Sequence, residues 1–196
     1  MNKNFEEFDS EAEDIDGENI IEESHSENIV KESQNNSYIK TIIKVLALIL
    51  EENKTISDYK QIIIIQSKSI FSSHSIPKIS LLNYLKRIQI YSQIETPTLI
   101  CSLIYIDRLC NFTGIILTYY NIHRILFSAI LMSIKFNEDR YYDNKYYSKI
   151  AGVKVKELKQ IEYNFLDLID FKLFISEDEF LKYKIFLENF YEQLNE

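Results

Sequence analysis

Few side chains in this sequence could do chemistry, and they are scattered. The three histidines, His25, His74 and His123, stand in unrelated contexts and lack the short spacing with which a helix or loop offers ligands to zinc. There is no glycine-rich phosphate loop, no Gly-x-Ser-x-Gly turn and no His-Glu-x-x-His pair. The motifs of phosphoryl transfer, acyl transfer and metal-assisted hydrolysis are therefore missing. Glu138 and Asp139 are adjacent carboxylates, but neighbouring residues on a helix diverge by about 100°. That pair reads as a solvated helix end. His123-Arg124 opens an apolar segment and reads as packing. Cys101 and Cys110 lie nine residues apart on one predicted helix, which is neither a Cys-x-x-Cys motif nor a disulfide framework. Both read as reduced core thiols, as in a cytosolic or nuclear protein. The reading predicts no catalytic residue, no metal and no cofactor.

Four charges stand in places that ask for a partner. Asp107 follows Ile100, Leu103 and Ile104 on one helical stripe, where a carboxylate must be paired or desolvated at a cost. Arg87, beside Ile88 on the preceding predicted helix, is the natural partner for a buried structural pair. The alternative is an Asp107 near the helix end, simply hydrated. Lys135 ends the most apolar segment of the chain, and Glu162 lies between Leu158 and Phe165. Taken alone, each of these two reads as an ordinary surface charge.

The elements that must hold these residues are helices. Aromatics at 13% of the chain suit a globular fold, and three glycines and two prolines in 196 residues leave few breaks, so long helices are favoured over a turn-rich β fold. Ile39, Ile42, Ile43, Leu46 and Leu50 mark one helical stripe over 37–53. The run QIIIIQ at 61–66 is ambiguous between a short strand and a buried helical turn, and exposed it would invite aggregation. Leu81, Leu85 and Ile88 form a second stripe. Thr96 with Pro97 predicts a capped start for the next helix. The segment 121–136 is apolar on all sides, the pattern of a helix at the centre of a bundle. Gly152 predicts a left-handed cap after NKYYSKIA. Leu158, Ile161, Phe165 and Leu168 fall in register after it. Ser176 with Glu179 predicts a capping box, and Ile175 with Phe180 a hydrophobic staple, at the start of the last helix.

Charge is unevenly spread. Residues 1–36 carry 12 acids and two lysines, so the remaining 160 residues hold 20 basic and 18 acidic side chains. The tail 1–36 is expected to be disordered, because it has too little apolar surface to offset its ordering entropy. The rest is near neutral and lacks the basic face that nucleic acid requires. No apolar run reaches the roughly 20 residues of a membrane span. The acidic start does not resemble a targeting peptide. Neither a nucleic-acid partner nor a membrane is expected, and the fold class is all-α.

Four blocks go further: PKISLLNYLKRI, LIYIDRL, LTYYNIHRILFSAILMSIKFNEDRYYDNKYYSKIAGV and ELKQIEYNFLDLIDFKL. In this order and at this spacing, over roughly 38–175, they resemble the cyclin box, and more closely that of the P-type, or U-type, cyclins. The resemblance implies a five-helix bundle around a central third helix, with N-terminal and C-terminal flanking helices. The domains would be a tail at 1–36, a box with its N-terminal helix at 37–175, and a C-terminal helix at 176–196. It implies that Arg87 and Asp107 pair, and that Lys135 and Glu162 meet a cyclin-dependent kinase, with Asp139, Tyr141 and Tyr142 on or near the same surface. The chain would then be a non-catalytic regulatory subunit, monomeric until it binds its kinase, in the nucleus, the cytoplasm or both. The runner-up is an adaptor of the same fold that binds another protein without activating a kinase. The chain departs from the family in having Ala151-Gly152 where two glycines are usual, and VKVKEL where a Ser or Thr cap is usual.

Overall fold

The computed structural model describes the backbone of residues 17–56 and 58–195 and the side chains of 36–56 and 58–194. The chain divides into two units between Ser33 and Gln34. Among the described residues there are eight helices and no strand: α1 (Gly17–Lys54), α2 (Tyr59–Gln66), α3 (Leu81–Ser92), α4 (Thr96–Thr113), α5 (Ile122–Asn137), α6 (Asn144–Ala151), α7 (Val155–Leu168) and α8 (Glu177–Asn195). None of the described helices is long and apolar enough to cross a membrane.

The expected disorder of 1–36 differs from what is seen after Gly17, where α1 begins; residues 1–16 lie outside the described residues. Glutamates are good helix formers, and a helix already nucleated extends by one hydrogen bond per residue fixed. In the second unit Ile39, Ile42, Leu46 and Leu50 of α1 are buried to 1% exposure or less. The ambiguous isoleucine run is helical, as α2, with Ile64 and Ile65 about two-thirds exposed at 67% and 69%. A helix satisfies its own backbone groups, so these side chains face solvent without a sheet edge beside them.

Helix α5 is the axis. Every residue from Ile125 to Ile134 is buried, and α3, α4, α6 and α7 all pack against it. Its most extensive contact is with α4, buried along Thr98–Ile106. Ser133 sits fully buried in that contact and donates its hydroxyl to the Thr98 carbonyl at 2.7 Å. Helix α4 starts one residue earlier than Thr96-Pro97 predicts, with Glu95 as the cap and Pro97 in the first turn. Gly114 (φ +68°) and Gly152 (φ +73°) end α4 and α6 in the left-handed conformation that glycine adopts without strain.

Two segments outside the regular helices are pinned. Before α3, Phe71 is buried edge-on against Phe165, at 6.2 Å between ring centres. Around it, Arg124 Nη1 donates to the Ile70 carbonyl at 2.9 Å and Ser73 N to the Tyr120 carbonyl at 2.8 Å. After α7, Asp170 and Phe171 both take positive φ near 54° and turn the chain. The following strap is held to α4, because Tyr105 donates to the Leu173 carbonyl at 2.7 Å and Arg108 to the Lys172 carbonyl at 2.5 Å. Arg108 also binds the Glu179 carboxylate at 2.6 Å. Only half of the predicted capping box is therefore made: Glu179 N donates to Ser176 Oγ at 3.3 Å, while its carboxylate serves Arg108.

His123 is buried at the start of α5, with Nε2 2.9 Å from the Ile79 carbonyl and Nδ1 without a partner. Burial holds its pKa below the usual imidazole value. The unfolded chain therefore takes up a proton first as pH falls below about 6.5, and stability drops through that window. Thermal melts at pH 7.5 and pH 5.5 should show an acid-induced loss that is smaller in His123→Gln. An identical loss in both proteins would remove His123 as its source.

Candidate functional site

Lys135 stands in the last turn of α5, where the exposed carbonyl end of the helix favours a cation. Glu162 comes from the middle of α7, one residue after the buried Ile161. Asn144 opens α6, directly after Asp143, whose side chain caps that helix by accepting from Tyr146 N at 2.8 Å. These three side chains from three helices meet. Lys135 Nζ donates to Glu162 Oε1 at 2.5 Å and to Asn144 Oδ1 at 2.6 Å, and Asn144 Nδ2 donates to Glu162 Oε2 at 2.7 Å.

The closed triad fixes the geometry of all three groups. The Lys135 and Glu162 side chains are 23% and 18% exposed, so they are largely desolvated yet touch the surface. An ammonium has three donors and a carboxylate about four acceptor positions. The triad uses two donors of Lys135 and one bond at each oxygen of Glu162, which leaves a fixed donor and fixed acceptors for a partner.

Around the triad the surface is aromatic. Phe136 (52% exposed) follows Lys135, and Tyr163 (61%) follows Glu162. Phe174 is 77% exposed on the strap held by Tyr105 and Arg108, and it shares a surface hollow of about 460 Å3 with Phe136, Asn137 and Phe180. Asp139, Tyr141 and Tyr142 are exposed in the connection from α5 to α6. Tyr142 packs on Tyr146 at 4.1 Å between ring centres, and its backbone N–H donates to the hydroxyl of the buried Tyr147 at 3.3 Å. Burial pushes the Tyr147 phenol up to about 12, and raises the Glu138 carboxyl above its usual range. Glu138 Oε1 lies 3.5 Å from the Glu95 backbone N–H, at the start of α4.

The structure brings together Lys135 and Glu162, and it separates Arg87 from Asp107. The expected buried pair is corrected: Arg87 donates to the Lys149 carbonyl at the end of α6 (2.7 Å), and the exposed Asp107 accepts from Tyr183 of α8 (2.5 Å). Packing explains the difference, because α3 lies against α5 and α6 whereas α4 faces α5, α7 and α8. Three contributors escaped the sequence reading. Phe136 fell at the end of the all-round apolar segment 121–136, and Phe174 carried no signal that set it apart. Asn144 had one usable signal, a short amide at a helix start, and nothing in its spacing pointed to Lys135.

The family model for cyclins matches residues 21–173. The chain belongs to the cyclin family. Among its relatives are Cyclin-U3-1 of Arabidopsis thaliana, 34% identical over 114 residues (58% of this chain, 52% of that one), and Cyclin-U4-1 of the same plant, 29% identical over 155 residues (78% and 77%). PHO85 cyclin-7 of Saccharomyces cerevisiae is 32% identical over 133 residues, 62% of this chain and 47% of that protein. The chain thus spans about half the length of two of these relatives, 52% and 47%, and 77% of the third. Within the family it groups with the P-type, or U-type, cyclins.

The uncapped start of α7, anticipated from VKVKEL, is also seen: Lys154 occupies the cap position with no side-chain hydrogen bond. For the triad, a double-mutant cycle of Lys135→Met and Glu162→Gln in urea unfolding should give a coupling of about 1–2 kcal/mol, as for a partly buried ion pair sharing one network. Additive effects would mean that the two charges do not interact in solution.

Proposed function

We propose that this cyclin is a non-catalytic regulatory subunit that binds and activates a cyclin-dependent protein Ser/Thr kinase, in control of the cell cycle or of a nutrient response. The observation that carries the reading is the Lys135–Glu162–Asn144 triad, set in exposed aromatic residues at the end of the buried central helix. Membership of the cyclin family supports it, and so does the name of one relative, PHO85 cyclin-7.

The physical route to activation needs no reacting group on this chain. A protein kinase is active when its strand lysine pairs with the glutamate of its C-helix, which requires that helix to sit inward. A subunit that binds the inward arrangement more tightly than the outward one shifts the kinase toward activity by that difference in affinity. The surface here suits such a task. Protein interfaces concentrate their energy in a few aromatic and charged anchors at the centre of the contact. Phe136 and Phe174 would supply apolar area, Lys135 and Glu162 a fixed polar centre, and Asp139, Tyr141 and Tyr142 the flank. On this reading the chain is a monomer before it meets the kinase, and it works in the nucleus, the cytoplasm or both, which suits two free cysteines.

The full chain, immobilised and exposed to lysate of its source cells, should retain a kinase that phosphorylates histone on the beads. The exchange Lys135→Glu with Glu162→Lys keeps an internal ion pair while reversing both charges toward a partner. It should leave the melting temperature within a few degrees and lower kinase capture at least about tenfold, the equivalent of about 1.4 kcal/mol. Undiminished capture would remove the triad from the contact, and a captured but inactive kinase would remove activation from the function.

A further inference from the structure

At the opposite end of α5 from Lys135 lies a second polar cleft, of about 580 Å3, that the kinase reading does not use. Its walls are the pinned segment 67–74, Arg124 in the first turn of α5, and the first turns of α7. Lys135 and Arg124 are 11 residues apart on one helix, about 16 Å along its axis, so the two sites are spatially separate.

The cleft is cationic in a part of the chain that is otherwise near neutral, with 20 basic and 18 acidic side chains over 37–196. Lys68, Arg124, Lys154 and Lys156 line it against the single acid Glu157. Glu157 is already neutralised by Arg124 at 2.6 Å. The three lysines form no ion pair among the described residues. The His74 imidazole and the hydroxyls of Ser69 and Ser72 line it as well, while the Ser67 hydroxyl is already given to the Ile64 carbonyl at 2.6 Å. The start of α7 opens onto the same space, and with lysine at its cap position its first N–H groups have no side-chain acceptor. Such groups, together with the helix dipole, favour an anion. The wall that carries Lys68 is not a loose loop: Phe71 anchors it in the core, and Arg124 and Tyr120 bind its backbone.

We propose that this cleft binds a phosphorylated peptide. A phosphoserine or phosphothreonine carries about −1.5 to −2 charges and three acceptor oxygens, enough to engage several of these donors at once. A carboxylate, with a single charge, would offset less of the excess left by the three unpaired lysines. The groove between the segment 67–74 and α7 is open enough to take the phosphate together with a short stretch of chain.

The test is fluorescence anisotropy with the full chain and a short labelled peptide bearing one central phosphoserine between alanines and glycines, beside its unphosphorylated twin. The phosphopeptide should bind at least about tenfold more tightly than the twin, a preference of the size expected for new charge-assisted hydrogen bonds. Lys68→Glu with Lys156→Glu should abolish the preference. Lys159→Glu with Lys182→Glu, outside the cleft and equal in charge change, should keep it. All four lysines are exposed, so both variants should melt like the parent. Equal binding of the two peptides, or equal loss in both variants, would overturn the proposal. Displacement of the peptide by an equal concentration of inorganic phosphate or of a short single-stranded oligonucleotide would overturn the assignment to a peptide.

Discussion

A helix buried on every side can meet other molecules only at its ends. Helix α5 is such a helix, with each residue from Ile125 to Ile134 out of water, and the other helices are arranged by the need to cover it. Its length and apolarity allow no charge along the middle. Its ends cannot be apolar, because the first N–H groups and last carbonyl groups of any helix need polar company. The sequence therefore places His123 and Arg124 at one end and Lys135 at the other, and each draws side chains from neighbouring elements. Arg124 draws the Ile70 carbonyl and Glu157, and Lys135 draws Asn144 and Glu162. The surface features of interest are consequences of closing one buried helix.

The Lys135 end gains its definition from elements that share no sequence with it. Helix α6 contributes Asn144 because Asp143 caps its start, and α7 contributes Glu162 because Ile161 and Phe165 bury the adjoining face. The exposed Phe174 is held in place by hydrogen bonds from Tyr105 and Arg108 to the two preceding carbonyls. Arg108 is also bonded to Glu179, so the C-terminal helix α8 helps to steady a surface some distance from most of its own residues. Side chains already fixed before a partner arrives lose less freedom on binding, which raises affinity without new contacts. Under the proposed function, which favours one arrangement of a kinase, a rigid template serves better than an adaptable one.

Most of the fold was legible because it rests on periodicity. The stripes over 37–53 and 158–168, the all-round apolarity of 121–136 and the glycine at 152 are local patterns with local physical causes, and the structure has helices and a left-handed cap where they fall. The misassigned pair shows where local reasoning ends. The stripe of Ile100, Leu103 and Ile104 is buried but does not extend to Asp107, which is exposed, and its neighbour is α8 with Tyr183 rather than α3 with Arg87. Asn144 was invisible for the same reason, since its role is set by how three helix segments converge. The isoleucine run at 62–65 stayed ambiguous because short apolar runs carry no period long enough to separate helix from strand. Phe136 and Phe174 were hidden by their chemistry, because an aromatic residue intended for a partner has the same composition signal as one intended for the core.

On the proposed function, the kinase binds at the Lys135 end of α5 together with the Phe174 strap. The most direct measurement is hydrogen–deuterium exchange of the full chain, free and bound to the kinase it captures. Slowed exchange should be confined to 135–144, 162–166 and 171–176, with 67–74 and the start of α7 exchanging as in the free chain. Protection that falls instead on the outer faces of α1, α2 or α8, and leaves 135–144 unchanged, would place the kinase elsewhere on the chain.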